Sequence, residues 1–573
     1  MFWVDEVADE IIKTYADKNE LIVRDEKTLS GRVHVGSLRG VVLHGVVAQA
    51  LREKGKNAHF IYELNDIDPM DGMPIYLDPA EFKQHMGKPL RNVPSPDGKA
   101  KNFADYFGQE FVKVIDALGL NVEYSVASDK YDAGLYDPWI QKVMEHESEI
   151  RRIYKDISGS EKPDDWHPLQ VVCENCGKVG TTRVTGWDGE KASYVCVPDM
   201  VKWAEGCGHT GKIVPFKGVG KLPWKVEWPV KWAVYNVDVE GSGKDHSAAG
   251  GSYDVATEIC SKVLGIKVPY NLPYEFFLFG GAKMSSSKGE GATAHAMSEL
   301  LPPELNRFLM IRSRPNQPIE FNPEGETIPR LFDRYDECAD HYFANVEEVN
   351  PDFQRAFYYS QTDTKNIKDS YRPRFSRLVF MLQIPHLNIE EEIAKLKGSA
   401  LNDEDKKELD KRLHYVKLWL EQYASDTFKF SVQESIPDAA YDLSDEQKKF
   451  LEDITVELEA KERSGEELHA KIHEIRKAST LEPREGFAAI YMALIGRDSG
   501  PQAGWFLDAL DRDFVVNRFK EVVKLPKREK PVIEDACGKT LTIKSEIVEK
   551  FPGLKIGVAI IRGLKIGKEN ADL

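Results

Sequence analysis

Apolar and polar residues along this chain follow two different periods, and their order predicts an architecture. Leu21–Val23 is a short apolar run, apolar positions recur at helical spacing from Val35 to Leu51, and His59–Tyr62 reads as a second strand. The glycine-containing loop SGRVHVGS separates the first strand from the helix. Strand, loop, helix, strand is a βαβ unit, which predicts an α/β fold with a doubly wound parallel sheet. Residues from about Pro74 to Ala100 are rich in Pro, Gly, Asp and Lys and predict a long excursion. About 163–220 carries clustered cysteines among short strand-like pieces. Apolar and aromatic runs return in WAVYNVDV and EFFLFGG, between Lys221 and about Phe279, and are read as later strands of the same sheet.

Beyond about Pro329 charged amphipathic stretches take over, among them DEDKKELDKRLHYVKLWLEQYA and SDEQKKFLEDITVELEAKERSGEELHAKIHEIRKA. They predict an all-helical domain, with Ser444–Gln447 as a capping start. From about Lys524 the chain becomes proline- and lysine-rich and then strand-like. The expected division is therefore 1–325, interrupted at about 163–220, then 326–523 helical, then a short α+β tail over 524–573. No internal repeat appears.

Composition narrows the class. At 573 residues, 42% hydrophobic and 30% charged, the chain has an ordinary globular balance. Its formal net charge of −17 argues against indiscriminate nucleic-acid binding, though a local basic groove remains compatible with it. No apolar run approaches the roughly 18 residues of a membrane span. The start, MFWVDEVADEIIKTY, is acidic and amphipathic, unlike a secretory or transit segment, so a cytoplasmic location is expected. Seven cysteines, four of them between Cys173 and Cys207, favour a metal site over a disulfide scaffold.

Two loops carry candidate phosphate chemistry. His34 and Gly36 fall between the first strand and helix, where an imidazole reaches phosphate oxygens and glycine admits a ribose or purine. A histidine in an ordinary first helical turn is the bland alternative. The second loop is KMSSSKG, in which Lys283 and Lys288 flank three serines; it reads as a cationic clamp for a pyrophosphate or as a surface turn. GSGKDHS at Gly241 is not a P-loop, because Asp238 stands at the first glycine position and Asp245 follows Lys244.

HVGS and KMSSS together, in this order, resemble the HIGH and KMSKS signatures of class I aminoacyl-tRNA synthetases. Longer stretches are similar to the class I lysyl-tRNA synthetases: KLPWKVEWPVKWA, GKDHSAAGGSYD, PYEFFLFGGAKMSSSKG, LPPELNRFLMIRSRPNQPIEF and, in the helical region, GFAAIYMALIGRDSGPQAGWFLDAL. The resemblance covers about residues 1–525. It implies a Rossmann-like, HUP-type catalytic domain that activates L-lysine with Mg-ATP and transfers it to tRNA(Lys). Catalytic residues are then expected at His34, Gly36, Ser37, Lys283, Ser285, Ser286 and Lys288. Of these, His34, Gly36, Ser37, Lys283 and Ser286 are expected on ATP. For lysine it points to Thr28, Trp224, His246 and Tyr274, with Asp245 or Glu227 as the carboxylate beside the ammonium; Trp228 and Trp232 are expected in the core. Three departures stand out: Ser286 replaces the second lysine of KMSKS, Ser37 replaces the last histidine of HIGH, and Leu29 stands where a proline is common. Lys288 is a candidate replacement charge. Alternatives are another class I synthetase, of glutamyl or arginyl type, and a non-catalytic tRNA-binding relative.

Cys173, Cys176, Cys196 and Cys207 are spaced C-x2-C-x19-C-x10-C, which suits a closed structural zinc site, with His209 as an alternative fourth ligand. A further zinc site carried by some relatives would fall at 97–106, where PDGKAKNFADYF has no cysteine or histidine; its loss is expected. The resemblance also implies that the helical domain reads the tRNA anticodon. The tail resembles the opening of the B3/B4 module of phenylalanyl-tRNA synthetase β chains. A monomer is favoured, with the oligomeric state open.

Overall fold

A computed structural model describes residues 1–280 and 292–526, and the backbone of 532–534 and 540–542. The chain forms two compact units, the first comprising Met1–Ser376 with Leu396–Ala424 and the second Arg377–Lys395 with Ser425–Leu573.

In the first unit β1 (Glu20–Thr28) leads through the SGRVHV loop into α1 (Gly36–Glu53), and β2 (Asn57–Asn65) lies parallel to β1 with Thr28 opposite Asn65. β3 (Val122–Val126) extends the sheet beyond β2, while β4 (Val239–Glu240) and β5 (Tyr270–Asn271) extend it on the other side of β1. The order β5-β4-β1-β2-β3 is parallel throughout. Successive strands thus run outward in opposite directions from β1, and the end of β1 beside β4 is the switch point where such sheets bind ligands. One face of β1 presents Leu21, Val23 and Asp25 toward α1; the other presents Arg24, Glu26 and Thr28.

Two sequence expectations need correction. The run WAVY is the end of a helix, α2 (Trp224–Tyr235), and only Val239–Glu240 of that stretch is strand. Trp224, Trp228 and Trp232 stand four residues apart and stack along one helical face, a spacing that a continuous apolar run conceals. β6 (Phe277–Phe279) leaves the main sheet and pairs with β7 (Ile319–Phe321) in a separate two-stranded sheet. Within the cysteine-bearing region, Thr182–Trp187, Ala192–Cys196 and Thr210–Ile213 form an antiparallel sheet.

The first unit also runs past residue 325, the expected boundary. The helices Thr327–Tyr342 and Pro351–Ser360 have charged outer faces, but their apolar faces pack inward. Tyr335 meets Phe308 edge-on, the buried Arg307 guanidinium donates to the Tyr359 carbonyl at 2.9 Å, and Arg355 pairs with Asp5 at 2.8 Å.

The second unit is helical. Ser444 and Gln447 form the expected capping box at the start of Asp445–Ala460, and Phe450, Ile454, Ile472, Ile490, Phe506 and Phe519 fill its core. The backbone of Val532–Glu534 pairs antiparallel with Thr540–Thr542; most of the expected α+β tail lies outside the described residues. No described helix is long and apolar enough to cross a membrane.

Candidate active site

The HVGS segment occupies the C-terminal mouth of β1. Gly31, at φ 153°, lets the chain turn out of the strand, and Gly36 and Ser37 begin α1, with the Ser37 amide donating to the His34 carbonyl at 3.0 Å. Backbone N–H groups at a helix start, beside an imidazole, suit phosphate oxygens. His34 also forms an antiparallel bridge with Thr293. The Val35 amide donates to the Ala292 carbonyl at 3.0 Å and the Ala294 amide to the Val33 carbonyl at 2.8 Å. Thr293 then caps α3 (Ala294–Leu300) by accepting from the Ala296 amide.

Lys283, Ser285, Ser286 and Lys288 lie outside the described residues, but both flanks of their segment are fastened near HVGS. On the near side the Gly280 amide donates to the Phe321 carbonyl, closing the β6–β7 pair. Arg39 of α1 is fully buried and donates to the carbonyls of Phe276, Pro315 and Gln317 at 2.6–3.1 Å. Burial lowers its guanidinium to about 10. One helix therefore carries the first signature segment and holds the strand that leads into the second.

The residues expected to hold lysine fall into three local groups: Trp224 with His246, Thr28 with Asp68, and Tyr274 with Gly40 and Asp25. Trp224 stacks on Trp228 at 5.0 Å, and the His246 ring lies 5.8 Å from Trp224 and 5.7 Å from Trp228. Trp224 Nε1 is buried without a hydrogen-bond partner. Thr28 Oγ1 donates to Asp68 Oδ2 at 2.6 Å. Tyr274 approaches from the α1 face: a Cβ on Gly40 would lie 2.8 Å from its hydroxyl and 2.6 Å from Asp25 Oδ2. Burial raises the Asp25 carboxyl, and His44 Nδ1 lies 3.7 Å from it. His44 has a fixed tautomer, because its Nε2 accepts from the Gly241 amide at 2.6 Å and its Nδ1 faces the Gly40 carbonyl at 2.7 Å.

Neither carboxylate singled out for the ammonium is disengaged. Glu227 is fully buried and takes the Tyr131 hydroxyl, Lys221 at 2.6 Å and Lys231 at 3.7 Å. Asp245 stands 4.0 Å from His246 and has Lys27 and Tyr274 as electrostatic neighbours. Trp232 is core as expected, and Trp228 is buried, although its ring also backs Trp224 and His246.

Sequence reading missed the ion lattice behind this pocket. Arg24 donates to Glu240 at 2.8 and 3.0 Å, contacts Glu26 at 2.5 Å and lies 3.2 Å from Glu63. Lys231 pairs with Glu26 and, at 2.8 Å, with Glu63. Lys221 joins Glu227 to Asp68 at 2.9 Å. The signal was present in VRDEKT, where charges fill a strand that must be central for the fold to close.

The four cysteines come together. Their sulfurs all lie within 4.8 Å of one another, with Cys173–Cys207 and Cys176–Cys196 each at 3.7 Å. A tetrahedron with Zn–S bonds of about 2.3 Å has edges of about 3.8 Å, close to the two 3.7 Å separations, so the set is compatible with zinc. Cys196 rather than His209 completes it, the His209 ring being turned against Tyr194 at 6.0 Å. At 97–106 Asp97 holds its loop by accepting from Ser95 Oγ and from the Lys99 and Ala100 amides.

Residues 1–363 match the family described as tRNA synthetases class I (K). The chain is 35% identical over 540 residues to the lysine–tRNA ligase of Methanosarcina barkeri strain Fusaro, covering 91% of this chain and 97% of that one. It is 32% identical over 523 residues to the lysine–tRNA ligase of Archaeoglobus fulgidus, covering 91% and 99%. Among solved structures it is similar to a glutamate tRNA ligase from Elizabethkingia meningosepticum in complex with its amino acid, at TM-score 0.40 and 12% identity over 88% of this chain and 100% of that one.

Proposed function

The chain belongs to the class I, archaeal-type lysine–tRNA ligases, and from that membership we propose how its own residues divide the work of activating L-lysine with ATP and transferring it to tRNA(Lys). In the first step a lysine carboxylate oxygen bonds to the α-phosphorus of Mg-ATP while the α–β bridging P–O bond breaks, giving lysyl-adenylate and pyrophosphate. In the second a ribose hydroxyl of the terminal tRNA adenosine bonds to the lysyl carbonyl carbon, and AMP leaves. Both steps are dominated by positioning and by stabilisation of charge on phosphate oxygens.

His34, Gly36 and Ser37 hold the nucleotide at the start of α1, the positive end of the helix dipole. Lys283 and Lys288, with Ser285 and Ser286, neutralise the departing pyrophosphate. The seam of Val33–Val35 with Ala292–Ala294 supports this pairing most, because it hydrogen-bonds the first signature segment to the residues that directly follow the second.

Thr28, Trp224, His246 and Tyr274 frame the lysine. The indole pair gives the aliphatic stem an apolar wall, and the acidic surroundings select a cationic end. Cys173, Cys176, Cys196 and Cys207 hold a zinc ion that braces the cysteine-bearing sheet; a four-thiolate shell is closed to substrate and supplies structure rather than chemistry. The helical second unit reads the tRNA anticodon, and the enzyme works in the cytoplasm as a monomer.

Charging of purified tRNA(Lys) with radiolabelled lysine tests this reading. Wild type forms lysyl-tRNA, and His34→Ala loses about 100-fold or more of the rate of adenylate formation. Absence of lysyl-tRNA with wild-type protein would contradict it.

A further inference from the structure

The ion lattice starts and ends at side chains of the lysine pocket. Thr28 bonds Asp68, Asp68 pairs with Lys221, Lys221 with Glu227, and Glu227 with Lys231. Lys231 continues to Glu26 and Glu63, which share Arg24 with Glu240. Glu240 accepts from the indole N–H groups of Trp228 at 2.7 Å and Trp232 at 3.1 Å, and Trp228 stacks on Trp224.

This lattice is short of positive charge. Its carboxylates are Glu26, Glu63, Asp68, Glu227 and Glu240; its cations are Arg24, Lys221 and Lys231. With every member ionised, two negative charges stand uncompensated in a site largely cut off from water, a costly arrangement. Lys27, the nearest further cation on β1, points to the opposite face, where Asp25 and Asp245 are its main electrostatic neighbours.

One member is placed to receive the missing cation. Arg24, Glu63, Glu227 and Lys231 have side chains 0% exposed, whereas Glu26 keeps 10%. Glu26 stands two residues before Thr28 on the same face of β1; Arg24 and Lys231 both contact its Oε2, and its carboxyl also shares a hydrogen bond with that of Glu63. Asp68 is more exposed, at 23%, but Lys221 occupies Oδ1 while Thr28 and Asn65 occupy Oδ2.

Resting on the lysine-activating reading above, we propose that the substrate ammonium completes this lattice by pairing with Glu26, and that the lattice stores a proton in the empty site which substrate uptake expels. Burial pushes the Glu26 carboxyl up to about 7, against the pull of Lys231 and Arg24. An ammonium beside Glu26 stabilises the carboxylate, so the proton leaves to solvent as the cation arrives. The lattice then gains one positive charge and loses none of its internal pairs. A neutral isostere of lysine leaves the proton in place and gains no ion pair, which gives the pocket its discrimination.

Isothermal titration calorimetry of the full-length protein with L-lysine, in two buffers of different ionisation enthalpy, counts the released protons. Net release is expected at pH 6, and it declines as the pH rises toward 8 and the empty site loses its proton. Glu26→Gln abolishes the release and raises the lysine KM in pyrophosphate exchange by about 100-fold or more, with the ATP KM changed less than threefold. Glu63, Asp68, Asp245 and His246 are the other titratable groups beside Glu26 or the pocket; release that persists in Glu26→Gln would place the proton on one of them and overturn the proposal. So would lysine binding to wild type with no release at pH 6. If Glu26→Gln does not fold, the absence of release from wild type at pH 6 still overturns the proposal, and Glu26→Asp, which keeps a carboxylate at a shifted position, should alter the release. Wild type that activates no lysine refutes the functional reading itself, whereas activation without proton release refutes this inference alone.

Discussion

The amide of Val35 donates to the carbonyl of Ala292 at 3.0 Å, so the residue before α1 is tied to the residue after the KMSSSKGEG segment. The Ala294 amide donates to the Val33 carbonyl at 2.8 Å, so His34 stands between two bonds to the residues that follow that segment.

Val35→Pro removes the donor while retaining a compatible backbone, since Val35 has φ −56° and proline fixes about −65°. Adenylate formation is expected to fall about tenfold or more, with circular dichroism unchanged. Val35→Ala sheds more of the buried side chain but keeps the amide, so it should lose stability by about 1–2 kcal/mol and retain most activity. Equal rates for the two variants would show that the seam does not matter.

Gly40→Ala is expected to disturb the lysine pocket rather than the helix. Glycine to alanine within a helix ordinarily stabilises by up to about 1 kcal/mol. Here the new methyl meets Asp25 Oδ2 at 2.6 Å and the Tyr274 hydroxyl at 2.8 Å. Pyrophosphate-exchange kinetics should show the lysine KM raised about tenfold and the ATP KM raised much less.

Much of this was legible in sequence because the signals are local. The βαβ unit, the place of HVGS between strand and helix, the excursion near Pro74–Ala100 and the Ser444 cap all rest on short windows. The failures have a common cause, which is that partners distant in sequence decide them. An apolar run does not say whether it enters a sheet or stacks as a helical face, and so WAVY, expected as strand, ends a helix and Phe277–Phe279 pairs outside the main sheet. Charged helix surfaces look alike whichever core they cover, so the expected boundary at 325 fell inside the first unit. Glu227 looked available for substrate until Tyr131 and Lys221, 96 and 6 residues away, proved to hold it.

Zinc content should follow the four sulfurs. Protein prepared without chelator is expected to carry about one zinc per chain by atomic emission, and Cys176→Ser to carry substantially less. Thermal melting should drop on stripping with a strong chelator and recover on adding zinc. His209→Ala should keep the metal; its loss there would restore histidine as a ligand.

Lys283→Ala should slow adenylate formation by about 100-fold or more while changing ATP affinity only slightly, because the clamp acts where pyrophosphate charge develops. If Lys288 supplies the charge that Ser286 lacks, Lys288→Ala has a comparable effect, and Ser286→Lys restores part of it in the Lys288→Ala background. Rapid-quench measurement of adenylate together with equilibrium ATP binding separates the two effects.

The most direct measurement is ATP–pyrophosphate exchange with purified wild-type protein across all twenty amino acids. Exchange supported by lysine, and by no other amino acid at comparable kcat/KM, is the predicted result. Exchange supported by glutamate or arginine in place of lysine, or by none of the twenty, would contradict the account.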